Sequence, residues 1–359
     1  MLDEYFEARG IALTRLGEQR VPLRFSSATE EHLATRRIAG LFDFSFMGCF
    51  EVTGREALRF LDFLQTRNLT SLREGRAYYT LLCNENGAVI NDATVWRHCF
   101  QQFWLFTGRR EDWRHIAAVA SGFAVTLTDL SGKFAIIAVQ GPQSQRILKR
   151  CLDSPLPEAY FSFSRAIICG ENGWVARLGY TGECGFELLV PAATGAKVWK
   201  ALLATGNGIR ECGFEAADSL RIEAGHMLFA CELAKPATPY ELGLGRLVAL
   251  PRSPFLGSAA LQTLRFRRPA RTLVGLRFGG ASPKCDDGKL PRVEVTSQCD
   301  SPIFGMSLGL GFVAHAQRFP GSLVYTADGR VASVSRLPFY DPPRVVPRRS
   351  PVNGVPAFN

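Results

Sequence analysis

The sequence predicts an α+β protein of two or three domains that ends in a small all-β unit. Three observations carry this reading. At 359 residues the chain is long for a single hydrophobic core. Helix and strand signals alternate through its first two thirds. From Thr272 onward helix signals vanish, and short β-rich runs separated by turn residues remain.

Taken in order, Ser27-Ala28-Thr29-Glu30 reads as a capping box opening a helix that Gly40 closes. Thr53-Gly54-Arg55-Glu56 repeats the device, and Leu58, Leu61 and Leu64 supply an apolar helical stripe. Strands are expected at Ala77 to Leu82, Ala88 to Trp96 and Phe103 to Thr107. Phe134 to Val139 is a continuous apolar strand, and Pro142 can start the next helix at its first position. Thr194 to Ala204 is a further helix, ended by Gly206. The runs Thr272 to Arg277, Leu308 to Val313, Ser322 to Tyr325 and Val331 to Ser335 suit a small barrel or sandwich. The Pro- and Arg-rich segment after Pro342 is expected to be loosely ordered. There is no internal repeat.

Composition narrows the function classes. Hydrophobic residues make up 47% of the chain, and no apolar run approaches the ~20 residues of a membrane span. The acidic opening, Met1 to Glu7, lacks the apolar core of a signal peptide. Ten cysteines are scattered without a C-x-x-C pair, which argues against a zinc site and for reduced thiols in a cytoplasm. Cys184 is read as a small filler rather than a nucleophile. The formal charge of +9 is dispersed, with short basic clusters at Arg265 to Arg271 and Arg344 to Arg349. No nucleic-acid-binding signature accompanies it. A diffuse positive surface fits an acidic partner or a polyanionic cofactor tail as well as plain solubility.

Two carboxylates stand out. The strand-like runs Trp174 to Leu178 and Phe186 to Val190 flank Gly179-Tyr180-Thr181-Gly182-Glu183-Cys184-Gly185, which reads as a hairpin with a tight, glycine-permitted turn. Glu187 shares a strand face with Leu189, between Phe186 and Leu188. A carboxylate in such surroundings is exposed, paired or holding a ligand. A planar heterocycle with adjacent ring and exocyclic N–H donors suits its two oxygens, but taken alone a solvated edge-strand glutamate or a structural ion pair is the reading to favour. Asp92 similarly shares a face with Ile90, Thr94 and Trp96, and reads either as a reactive carboxylate or as a turn aspartate after Asn86-Gly87.

Nine segments occur in one order. They are Leu41-Phe42-Asp43-Phe44-Ser45-Phe46-Met47, Asn86-Gly87-Ala88-Val89-Ile90-Asn91-Asp92, Val139-Gln140-Gly141-Pro142, the Gly179 to Glu183 turn, and Asp218-Ser219-Leu220-Arg221-Ile222-Glu223-Ala224-Gly225. Thr238 to Gly245, Phe255 to Leu261, Val295-Thr296-Ser297 with Ser301-Pro302, and Pro338-Phe339-Tyr340-Asp341-Pro342 follow. Together they resemble the T-protein of the glycine cleavage system, the tetrahydrofolate-dependent aminomethyltransferase, from about residue 20 to about residue 345.

The resemblance implies a three-domain cloverleaf around a central folate channel, with two interleaved α+β domains and a C-terminal β-barrel. The expected boundaries are 1–42 with 130–220, 43–129 with 221–260, 261–345 for the barrel, and 346–359 as a tail. It implies tetrahydrofolate as cofactor and a lipoyl-carrying H-protein as a partner, with no nucleic acid and no membrane. Asp92 is then the catalytic carboxylate beside N5 of the folate. Tyr180 and Glu187 contact the pterin, Met47 packs on it, and Tyr79 and Arg246 lie in the pocket.

Several positions depart from the family. Phe46 stands for a His, Gly108 for an Asn, Ala217 for an Arg, Arg246 for a Trp and Phe229 for a Tyr. Two other readings therefore stand behind aminomethyl transfer: a folate-dependent methyltransferase or demethylase with another donor, and a non-enzymatic folate-binding accessory of iron–sulfur cluster assembly. The signature of the latter branch is absent.

Overall fold

The computed structural model describes residues 2–206, 208–279 and 290–349. Its mixed α+β fold is dominated by an eleven-stranded sheet, and a separate five-stranded sheet holds the C-terminal strands. The large sheet runs, in spatial order, Arg210–Glu211, Gly40–Asp43, Phe134–Gln140, Gly185–Pro191, Glu171–Arg177, Ser162–Ile168, Arg76–Cys83, Val89–Cys99, Gln102–Thr107, Gly48–Thr53 and Thr126–Asp129.

Ser162 and Arg76 form the only register pair between the sixth and seventh strands, so the sheet consists of two halves hinged at one point. The halves curl toward each other. Trp104 packs on Phe134 and Trp174 with ring centroids 5.4 and 5.5 Å apart, and Trp96 packs on Phe163 at 4.7 Å. These contacts join strands of opposite halves. Phe42, Trp96, Phe106, Phe163, Ala176 and Leu220 belong to the resulting shared core. Side-chain alternation sends Phe186, Leu188 and Val190 to the other face of the first half, where Val198, Trp199 and Leu202 of helix Gly195–Ala204 cover them. Helix Ala57–Leu64 covers the outer face of the second half through Leu61 and Leu64, both fully buried.

Helix Phe214–Glu223 is the junction. It packs against helix Ala28–Arg37 and against the C-terminal strands Val293–Ser301 and Met306–Ala314. The C-terminal sheet runs Val293–Ser301, Met306–Ala314, Arg271–Phe278, Val331–Ser335, Leu323–Tyr325, and a lone bridge from Arg292 to Tyr325 links its two ends. No helix among the described residues is long and apolar enough to cross a membrane.

The structure corrects several local expectations. Helix Ala28–Arg37 is capped by Ser27, which accepts the Glu30 N–H at 3.2 Å, but the helix stops before Gly40, which begins a strand. Glu31, not Glu30, reaches back, accepting the N–H groups of Phe25 and Ser26. The Thr53 box does not form. Thr53 is the last residue of a strand, and Glu56 accepts the Ala124 N–H at 2.7 Å instead. Pro142 precedes its helix, Ser144–Leu148, by two residues. Val293–Ser301 is a strand that hydrophobic alternation did not mark, because only its Val293 and Val295 are aliphatic.

Candidate functional site

The turn after Arg177 is not tight. The strands Glu171–Arg177 and Gly185–Pro191 last pair at Ala176 and Glu187, and residues 178–184 form a broad loop. Gln140, fully buried, explains its width. Its amide donates to the carbonyls of Leu178 and Phe186 at 3.2 and 3.5 Å, and its oxygen accepts the Thr181 hydroxyl at 2.9 Å. A Cβ at Gly179 would come within 1.9 Å of the Gln140 oxygen, and one at Gly185 within 2.4 Å. Those glycines admit a side chain rather than bend a turn. Gly182, with φ +79°, meets the conformational requirement.

Glu187 projects from the concave face that also carries Leu189 and the shared core. Its partners on the neighbouring strands are Ala176 and Ala138, so the space above it is bounded by small side chains. It is 5% exposed, and no hydrogen bond or ion pair reaches its carboxylate among the described residues. Burial pushes its acid up to about 8. Tyr180 and Met47 both pack on the same cluster, beside Phe46, Tyr160 and Phe161. The Tyr180 hydroxyl donates to the Met227 carbonyl at 2.5 Å, and its ring stacks on His226 at 5.7 Å.

Asp92 is on the strand Val89–Cys99, and alternation along it puts Asp92 on the face of Trp96, which belongs to the shared core. Its carboxylate accepts the Tyr79 hydroxyl at 3.0 Å from the adjacent strand. Burial outweighs that bond and raises the acid to about 6, with the charge of Asp112 adding to the rise. The field of Asp92 extends to Tyr180, whose phenol is raised chiefly by burial and further by that charge. Asp92, Tyr79 and Tyr180 thus share one electrostatic environment, and Asn91 braces it by donating to Asp112 at 2.6 Å.

Arg246 is exposed on the single turn Gly245–Leu247. Sequence reasoning missed its companions. Arg344 is lowered by burial and by the neighbouring charges of Arg246 and Arg348, and Arg67 by burial and Arg246. None of Arg67, Arg246, Arg344 and Arg348 pairs with a carboxylate among the described residues. Tyr160 was missed too. It is partly buried and feels Arg348, Arg344 and Glu187, which ties the cationic rim to the site. The Arg344 to Arg349 cluster was visible in sequence, but its proline content suggested a loose tail. Residues 346–349 instead dock on the 178–184 loop. Val346 is buried, Cys184 donates to its carbonyl at 2.9 Å, and Arg177 donates to the carbonyls of Pro347 and Arg349. The segment 350–359 lies outside the described residues.

Other motif residues serve a separate seam. Arg36 donates to Glu223 at 2.7 Å and Glu183 at 3.1 Å, with its guanidinium 3.8 Å from the Tyr340 ring centroid. Ser301 donates to Glu223 at 2.5 Å, and His32 lies 3.1 Å from the same carboxylate. Arg221 pairs with Glu232 at 2.8 Å and Asp218 at 2.7 Å, and donates to Ser297 at 2.7 Å. Asp43 is also buried with its acid raised to about 6 by burial, but Ser45 satisfies it through its N–H at 2.9 Å and hydroxyl at 2.5 Å. Two departures from the family pattern touch each other: a Cβ at Gly108 would lie 3.0 Å from the Phe229 ring. Phe46 packs near Met47, and Ala217 is buried in the shared core.

Residues 2–252 match the family model described as the GCVT N-terminal domain. The aminomethyltransferase of Streptomyces coelicolor is 35% identical over 94% of this chain and 96% of its own length. That of Thermotoga maritima is 35% identical over 89% of this chain and 91% of its own. The crystal structure of glycine cleavage system aminomethyltransferase T from Bartonella henselae aligns with a TM-score of 0.82 at 27% identity, covering 97% of this chain and 98% of that one. A buried, unpartnered carboxylate, a second one held by a tyrosine and a cationic rim therefore belong to a member of the GCVT aminomethyltransferase family.

Proposed function

We propose that the chain is a tetrahydrofolate-dependent aminomethyltransferase that transfers a one-carbon unit to N5 of the folate. The observation that carries this is Glu187, buried with no partner among the described residues and flanked by Ala138 and Ala176. Leaving a carboxylate so is costly unless a ligand returns the hydrogen bonds. A pterin edge presents two adjacent N–H donors, which match its two oxygens. Tyr180 and Met47 supply apolar surface for the flat ring. The carboxylates of a folate tail suit Arg67, Arg246, Arg344 and Arg348, which have no anionic partner among the described residues.

The folate supplies the nucleophilic nitrogen, and the chain need supply none. Asp92, with its acid at about 6, is mostly ionised at neutral pH. It accepts a hydrogen bond from the N5 proton and stabilises positive charge that builds there. Tyr79 orients that carboxylate by donating to it.

Finer features follow from the same reading. The single-pair hinge between Ser162 and Arg76 supports two interleaved domains, 1–42 with 130–220 and 43–129 with 221–260. The Arg292 to Tyr325 bridge supports closure of 261–345 into a barrel, the third leaf around the folate channel. The donor is an aminomethyl group on the lipoyl arm of an acidic H-protein, drawn by the +9 formal charge, in a reducing cytoplasm.

Calorimetry with tetrahydrofolate is expected to show saturable binding that Glu187→Ala weakens by about 2 kcal/mol. Undiminished affinity in that variant rejects the clamp. Mixing the protein with aminomethyl-loaded H-protein and tetrahydrofolate should release ammonia, faster at low than at moderate salt. Release no faster than without the protein, with folate bound, rejects this donor.

A further inference from the structure

The hairpin joining Ser162–Ile168 to Glu171–Arg177 turns on two residues, because Ile168 pairs with Glu171. They are Cys169 and Gly170, with φ of 49° and 83°. Two positive φ values in a two-residue hairpin mark a type I′ turn, whose first position favours Asn, Asp or Gly. A cysteine in the left-handed region carries steric strain that those residues avoid. The turn's own geometry does not call for this side chain.

Cys151 lies directly across from it. The Cys169 N–H donates to the Cys151 carbonyl at 2.7 Å, and the Asp153 N–H to the Ile167 carbonyl at 3.2 Å. Between them Leu152 and Ile168 form an antiparallel bridge. Residues opposed in this way have Cα atoms about 5.5 Å apart, inside the span a disulfide closes. The neighbouring thiol of Cys169 holds the Cys151 thiol below its ordinary range, and the same proximity raises that of Cys169. Cys169 is partly exposed. Cys49, Cys83 and Cys212 differ, being buried with thiols pushed up by desolvation.

We propose that Cys151 and Cys169 form a reversible dithiol–disulfide site that exchanges with low-molecular-weight disulfides. One thiolate of the pair attacks a sulfur of the small disulfide, forming a mixed disulfide and expelling one thiolate. The second cysteine, deprotonated, attacks the protein sulfur and expels the other half. Two protein thiols lose two electrons and two protons, and the small disulfide becomes two thiols. The closed bond ties the chain just after helix Ser144–Leu148 to the tip of the hairpin whose inner strand pairs with the strand of Glu187.

The test uses the full chain with Cys99→Ser, which removes the thiol that is exposed among the described residues, equilibrated in glutathione buffers of graded ratio. Non-reducing peptide maps are expected to show a 151–169 cross-link, with two thiols lost and no dimer formed. The oxidised form should melt at a higher temperature, since the cross-link restricts the unfolded chain. Cys151→Ser should instead accumulate glutathione on Cys169, with no such rise. A separate variant, Cys169→Asn, is expected to melt above the reduced parent because Asn suits the turn. Two free thiols, or only single glutathione adducts, at the most oxidising ratio would overturn the proposal.

Discussion

Two regions bury carboxylates on nearby surfaces of this chain, and they treat them in opposite ways. In the seam around helix Phe214–Glu223, every buried acid has a protein partner, and Glu31 is held by the backbone N–H groups of Phe25, Ser26 and Gly213. Glu223 takes Arg36 and Ser301, Glu232 takes Arg221 and Ser297, and Glu183 takes Arg36. In the concave site Glu187 has no partner among the described residues and Asp92 has one phenol. Burial raises Glu187 to about 8, whereas Glu223 is held below its usual range because His32, Arg36 and Ser301 together outweigh the burial that opposes them; Glu183, with Arg36 as its one guanidinium partner among the described residues, is still raised by burial. The lesson is that burial alone does not mark a functional carboxylate. Burial without a protein partner does, because only a ligand can then repay the desolvation.

Breaking the seam should have the largest effect. Arg221→Met strands Glu232 among buried groups, and a loss of about 3–5 kcal/mol in urea unfolding is expected; a loss under about 1 kcal/mol would mean that the seam is not self-compensating. Asp92→Asn should leave stability nearly intact and lower turnover about 10²-fold, some 2.7 kcal/mol. In the parent, turnover should rise with pH through about 6 and then level, an inflection that the variant lacks.

Glu187 sharpens the contrast through pH. Its acid lies near 4.5 when unfolded and about 8 when folded, so the folded chain keeps a proton that the unfolded chain has lost. Stability without ligand should therefore fall as pH rises from about 4.5 to about 8. Glu187→Gln should flatten that slope and gain about 1–2 kcal/mol at pH 8, read from melting curves across the range. A parallel loss in parent and variant would show that other groups carry the dependence. The smallest effect is expected at Gly108→Ala. Its Cβ at 3.0 Å from Phe229 should cost about 1 kcal/mol, and Phe229→Leu should relieve part of it in a double-mutant cycle.

Glu187 and Asp92 were legible because strand alternation places both on faces with apolar neighbours, and that alternation holds in the fold. Four of the five C-terminal strands were legible as short β-rich runs between turn residues, whereas Val293–Ser301, with two aliphatic residues, was not. The 178–184 loop was misread as tight because its glycines serve Gln140, a residue distant in sequence. Arg36 and His32 carried no signal, since a charged residue on a helix reads as solvated until a second element covers it. Tyr160 and Arg344 escaped because they lie in irregular segments, where no periodicity reports which way a side chain points.

The order of strands in the large sheet has a consequence for synthesis. The second half, Gly48–Thr53 through Thr126–Asp129, is continuous in sequence and can close as soon as it leaves the ribosome. The strand Gly40–Asp43 precedes it, yet Gly40 pairs with Gln140 and with Arg210. At ordinary elongation rates its apolar edge waits on the order of 5–20 s for the first of those partners. Throughout that interval a short run of Leu41 and Phe42 is an open strand edge beside a finished half-domain, and this makes it the segment on which a nascent-chain chaperone has most to gain by binding.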